Sequence, residues 1–98
     1  MDLPFKTTKP VLEWRRIGDK ILVIYDYMDF PKNAPARNLF AYTESGELLW
    51  QGEAFSTLST DASVSIISEI PLVVSNFAGY AVTYDIETGR VVDARFTK

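Results

Sequence analysis

The amino-acid sequence predicts an all-β domain: an antiparallel sheet of about seven or eight strands forming a small sandwich or partly open barrel. Three observations lead there. Short apolar or alternating runs recur every ten or so positions, bounded by turn residues. The runs are rich in β-branched and aromatic residues, which suit a pleated, half-buried surface. Two of the hairpins so outlined share one design, strand, acidic turn with glycine, then apolar strand, at an offset of 43 residues that aligns Gly46 with Gly89. The alternative arrangement is two four-stranded, blade-like meanders packed face to face.

Taken in order, residues 1–10 carry Pro4 and Pro10 and form an irregular arm. Val11–Ile17 alternates, with Leu12 and Trp14 on one face and Glu13 and Arg15 on the other. Gly18-Asp19 supplies a tight turn into a strand over Lys20–Tyr27. Met28–Arg37 holds Pro31 and Pro35, and proline gives a sheet no ladder donor, so this is the longest loop. Asn38–Thr43 and Glu47–Gly52 form a second hairpin about Gly46. Ala54–Ser68 is expected as strand or loop because Ser and Thr suit helix interiors poorly; a short helix capped by Asp61 is the alternative. Pro71–Phe77, Tyr80–Asp85 and Arg90–Phe96 close the chain as three strands, with Trp14 and Trp50 as core candidates.

The 98 residues make one domain, 1–98. A 47% apolar content suits an ordinary globular chain, and at this size roughly 60–68% of the surface leaves water on folding. No run approaches the roughly 18 apolar residues of a membrane helix, and the start lacks the pattern of a secretory signal. A soluble, cytoplasmic protein is expected. Cysteine and histidine are both absent. That removes thiol nucleophiles, thiolate zinc sites, the commonest metal ligand and the usual neutral-pH base. No metal, no cofactor and no catalytic residues are expected. Asp26 lies near Asp29, and Asp85 and Glu87 flank a turn; both pairs of carboxylates lie at strand ends or loops open to water.

The segment Asn38–Trp50 (Asn-Leu-Phe-Ala-Tyr-Thr-Glu-Ser-Gly-Glu-Leu-Leu-Trp) resembles the outer-strand motif of quinoprotein-type β-propeller blades, and Tyr84–Val92 is similar. The likeness implies blade-like hairpins. It implies neither a propeller, which needs at least about four blades, nor the quinone cofactor. A longer likeness runs from the early Trp through the Gly-Glu-Leu-Leu-Trp hairpin and Asn76-Phe77-Ala78-Gly79-Tyr80 to the terminal Arg95-Phe96-Thr97-Lys98. It is similar to small bacterial proteins, some of them associated with toxin-immunity neighbourhoods.

Charge supplies the functional signal. From Asn38 to Gly89 there is no Lys or Arg and there are seven acids, a formal −7 over 52 residues: Glu44, Glu47, Glu53, Asp61, Glu69, Asp85 and Glu87. A one-signed field of this kind repels nucleic acid and steers a basic partner. The bland reading is that turn acids solvate hairpin tips while the basic N- and C-terminal strands fold over to neutralise them. Tyr27, Met28 and Arg37, in the Pro-restrained loop, are of types enriched at interfaces, although Met28 and Phe30 also suit plugging one end of the core. The expectation is a non-enzymatic protein-interaction domain with an acidic central region, one form being an immunity protein that neutralises a basic toxin. A small-ligand or carbohydrate-binding module and a self-assembling structural module, a homo-oligomer, are the rivals; nucleic acid and membrane are not expected partners.

Overall fold

A computed structural model describes residues 2–97. Eight strands form two four-stranded antiparallel sheets, each a meander in chain order. The first sheet holds β1 (Val11–Ile17), β2 (Lys20–Tyr25), β3 (Leu39–Tyr42) and β4 (Leu48–Gln51). The second holds β5 (Ser63–Ser68), β6 (Leu72–Asn76), β7 (Tyr80–Tyr84) and β8 (Val91–Phe96). No helix among the described residues is long and apolar enough to cross a membrane.

The core lies between the sheets. Leu22, Ile24, Leu39, Ala41 and Trp50 from the first sheet meet Ile66, Leu72, Val74, Val82 and Tyr84 from the second. The period-2 alternation of β6 and β7 aims these side chains inward. β2 breaks the alternation, because all five residues from Ile21 to Tyr25 are buried. Its other face, Ile21, Val23 and Tyr25, lies beneath Leu3 and Phe5 of the arm together with Trp14, Phe30, Phe40 and Tyr42. A strand covered on both faces reads as a continuous apolar run for this reason. Burying each such side chain contributes roughly 1.5–3 kcal/mol.

The exposed backbone of β5 is closed by side chains. Asn38, wholly buried, donates to the Tyr25 and Ser63 carbonyls at 2.7 and 2.8 Å and accepts the Ser63 N–H at 2.8 Å. Farther along, Glu13 accepts the Ile66 N–H at 3.1 Å and Arg15 donates to the Ile66 carbonyl at 3.2 Å. These three side chains take the place of a neighbouring strand.

Several sequence expectations shift in detail. β2 ends at Tyr25 because Asp26 caps a 3-10 turn over Tyr27–Asp29 by accepting the Met28 N–H. Residues 54–62 are irregular and the strand begins at Ser63, so the alternative helix after Asp61 does not form. Glu13 and Arg15 reach across to the second sheet, while Trp14 packs in the outer cluster. The arm is a lid on that cluster: Phe5 packs on Tyr42 at 4.9 Å and against Gly46.

Two outcomes are expected. Asn38→Ala leaves two carbonyls and one N–H buried without partners, at roughly 1–3 kcal/mol for each group left unpaired. A urea titration should show at least about 3 kcal/mol of lost stability; a loss near zero would mean that water takes over the role. The second concerns alkaline pH. Burial, with Asp61 and Glu53 nearby, pushes the Tyr84 phenol up from 10.0 to about 12. Above pH 10 the unfolded chain therefore loses this proton while the native chain keeps it. Tyr84's contribution is intact below pH 10 and declines towards pH 12, by roughly 2–3 kcal/mol. Denaturation midpoints should fall across that window, less steeply in Tyr84→Phe.

Candidate functional site

The meander order places the β1–β2 and β3–β4 turns at one end of the first sheet and the β5–β6 and β7–β8 turns at one end of the second. Ion pairs between Arg15 and Glu69 (3.3 Å) and between Lys20 and Glu87 (2.9 Å) draw these ends together. At the other end the 26–38 and 52–62 loops meet the β6–β7 turn. There Ala36 donates to the Asp61 carbonyl at 3.0 Å, and Tyr27 packs on Phe77 at 5.5 Å.

The hairpin end gathers most of the acids singled out in the sequence and sets cations among them. Glu44 pairs with Arg16, Glu69 with Arg15, and Glu87 shares Lys20 with Asp19. Hydrogen bonding to Glu87 holds the Lys20 ammonium above its ordinary range. Asp85 accepts the Glu87 N–H at 2.8 Å and shapes the β7–β8 turn. Glu53 accepts the Val91 N–H at 3.0 Å and its own N–H donates to the Gly89 carbonyl, joining the end of β4 to that turn. Glu47 is exposed, with its side chain in no hydrogen bond among the described residues. Asp61 is removed from the surface altogether at 4% exposure. Its carboxylate accepts the N–H groups of Phe55 and Ser56 at 3.0 and 3.2 Å and the Asn76 amide at 2.9 Å.

That buried clamp builds the other end. Asn76 passes the connection on, accepting the Ala62 and Ala78 N–H groups at 3.3 and 2.9 Å. The 52–62 loop is thereby fixed against the β6–β7 turn, which presents Phe77. Arg37 sits at φ 48 and donates to the Gly52 carbonyl at 3.1 Å, while Gln51 donates to the Arg37 carbonyl at 2.9 Å. This fastens the 26–38 loop to the end of β4. Between the loops opens a cleft of about 150 Å³ walled by Tyr27, Met28, Pro31 and Phe77, with Lys32, Ser59 and Thr60 supplying polar groups. Met28 and Phe77 are 61% and 56% exposed.

Sequence reasoning picked Tyr27 and Met28 for this region and missed Phe77, Ser59 and Thr60. Phe77 was readable as an aromatic beside a glycine turn, but its meeting with Tyr27 depends on contacts 50 residues apart in the chain. The Asp61 carboxylate was counted as surface charge because nothing local marks it as internal. Arg37 is exposed as expected and works as a fastener.

Two four-stranded meanders face to face, closed by side chains at one edge, define a small two-sheet β domain. Residues 6–96 match the family described as a domain of unknown function (DUF7957), and the chain belongs to that family. Comparison with curated proteins and with solved structures gives no significant match.

The β7–β8 turn offers a direct check on the hairpin end. Gly89 has φ +75, and a Cβ built there falls 2.3 Å from the Trp50 ring, whose indole N–H donates to the Ile86 carbonyl at 2.9 Å. Gly89→Ala should therefore combine backbone strain with overpacking and lower stability by roughly 2–4 kcal/mol. Thermal unfolding measures this, and the Trp50 fluorescence should shift as the ring is displaced.

Proposed function

We propose that this protein is a non-enzymatic interaction domain that docks a basic partner protein, with the loop-end cleft as anchor and the acidic hairpin turns as steering groups. The observation that carries the reading is the exposure of Met28 and Phe77 around a preformed cleft. Aromatic residues and methionine concentrate where partners dock, and a rigid pocket that takes one apolar side chain makes an effective anchor. The charge pattern supports a basic partner. Even with Arg15, Arg16 and Lys20 interleaved, Glu47 and Asp85 add negative charge at the turns, and the whole chain carries −3. Steering of this kind raises the association rate more than the affinity. Neutralisation of a basic toxin is the concrete form that the sequence resemblance supports.

A second reading, a small-ligand module, draws on the same cleft, because apolar walls with a few polar groups also suit a small molecule. The two separate experimentally. Immobilised protein incubated with native extract should retain one basic protein that elutes with salt, and the purified partner is then titrated. Met28→Asp should weaken that complex by roughly tenfold or more, mainly through faster dissociation. Glu44→Lys with Glu47→Lys should slow association and flatten its salt dependence, since both residues lie on the surface and the one ion pair lost, Glu44 with Arg16, is worth at most about 1 kcal/mol. Unchanged kinetics in both variants sinks the interaction reading. A thermal shift with sugars or nucleotides that Met28→Asp abolishes would favour the second.

A further inference from the structure

The four sheet edges are closed to different degrees. β5 is sealed by Asn38, Glu13 and Arg15. β4 is four residues long, carries a bulge at Leu49, and has the Gly52 carbonyl beyond it held by Arg37. β1 carries a bulge and the charged row Glu13, Arg15, Arg16. Short length, bulges and charge are ordinary ways of blunting an edge. β8 has its bulge near the turn, opposite Thr83 and Tyr84, and runs regularly from Asp93 to Phe96. The Thr97 N–H donates to the Gly79 carbonyl, and the register continues through Arg95 with Ala81 and Asp93 with Thr83. Hydrogen-bonded and non-bonded pairs alternate in an antiparallel ladder. The backbone groups of Ala94 and Phe96 therefore turn away from β7, on the side where β8 has no neighbouring strand in its sheet.

We propose that β8 pairs with itself: two copies of this chain join antiparallel about a twofold axis through Ala94, making one continuous eight-stranded sheet from two copies of the second sheet. The sequence of the strand is self-complementary in that register. Asp93 of each copy falls opposite Arg95 of the other, within the regular stretch Asp93–Phe96. Val92 and Phe96 are 66% and 60% exposed in the single chain. The Asp93 and Arg95 side chains are 50% and 80% exposed and pair only with one another, at 3.1 Å, among the described residues. Facing residues at the non-hydrogen-bonded positions approach most closely, and those are the positions Asp93 and Arg95 take. The neighbouring registers, centred on Val92 or Phe96, set no opposite charges across the axis. A twofold contact also closes on itself and gives a dimer without a filament.

The test is native mass by sedimentation or light scattering from roughly ten micromolar to about a millimolar. The chain should show a dimer fraction rising with concentration. Asp93→Arg and Arg95→Asp each set like charges across the axis and should weaken dimerisation by roughly tenfold or more. Mixing these two variants restores opposite charges at every facing position and should give a heterodimer that neither forms alone. Ala94→Pro removes an N–H directed away from β7, which an edge strand tolerates; circular dichroism should show an intact fold and the mass a monomer. A wild-type chain monomeric throughout the range, a dimer indifferent to these substitutions, or a mixture that stays monomeric overturns the proposal.

Discussion

An edge strand buried against another sheet cannot leave its peptide groups to water, and at β5 the partners come from side chains. Asn38 is suited to this because its amide has the donor and acceptor of a peptide group. It binds the Ser63 N–H and carbonyl in both directions while reaching back to Tyr25. Much else depends on that bond set. Asn38 ends the long loop immediately before β3, so fixing it fixes Leu39 in the core. Ser63 starts β5, two residues after Asp61, so the same contact brings the Asp61 clamp against Asn76. The cleft at the loop end follows from the clamp. An apolar residue at position 38 would leave all three backbone groups unpaired, a larger cost than one hydrogen bond.

The strands were legible because their signals are local. Alternation, β-branched content and glycine turns outlined β6, β7 and β8, whereas β5 lay inside a stretch expected as strand or loop with a helix as the alternative; β1 falls where the alternation of Val11–Ile17 puts it. The face assignment of β1 was less legible. Leu12 and Trp14 share a face and invite a core reading, but the core of this protein lies between two sheets and β1 is an edge. An edge residue facing inward meets backbone at its rim, so the charged pair Glu13 and Arg15 points in and closes Ile66. The arm was unreadable for a related cause. Leu3 and Phe5 have a place only because the first sheet presents a second apolar face, and that face appears only once β2 is flanked by Phe40 and Tyr42. Aromatic contacts between strands, such as Tyr25 with Phe40 at 5.2 Å, join positions of one face that no single strand reveals.

The charge asymmetry of the chain changes meaning on folding. Cations are confined in sequence to the first 37 residues and the last nine, yet in space Arg15 and Lys20 meet acids of the second sheet. Separation along the chain becomes complementarity between sheets. Exposed pairs of this sort contribute little stability, of the order of 1 kcal/mol or less each. Their larger effect is on arrangement, because sliding one sheet over the other separates both pairs. The acids thus do two kinds of work. Asp61, Asp85 and Glu53 hold backbone, while Glu44, Glu69 and Glu87 face cations across or within the sheets.

What remains available for recognition is consequently at the loop end and along β8. The hairpin end is rigid and largely charge-matched, so a partner docking there has to displace internal pairs or settle for long-range attraction. The loop end differs. Its polar backbone is held by Asp61, Asn76 and Arg37, leaving Met28 and Phe77 as largely apolar surface, the Met28 sulfur taking a weak hydrogen bond from Lys32 at 3.8 Å. A surface in that state gains from burial with little opposing desolvation, at roughly 25 cal/mol for each Å² of apolar area removed from water. In the proposed docking, energy would therefore concentrate in the cleft, and the charge-matched hairpin turns would contribute long-range attraction only.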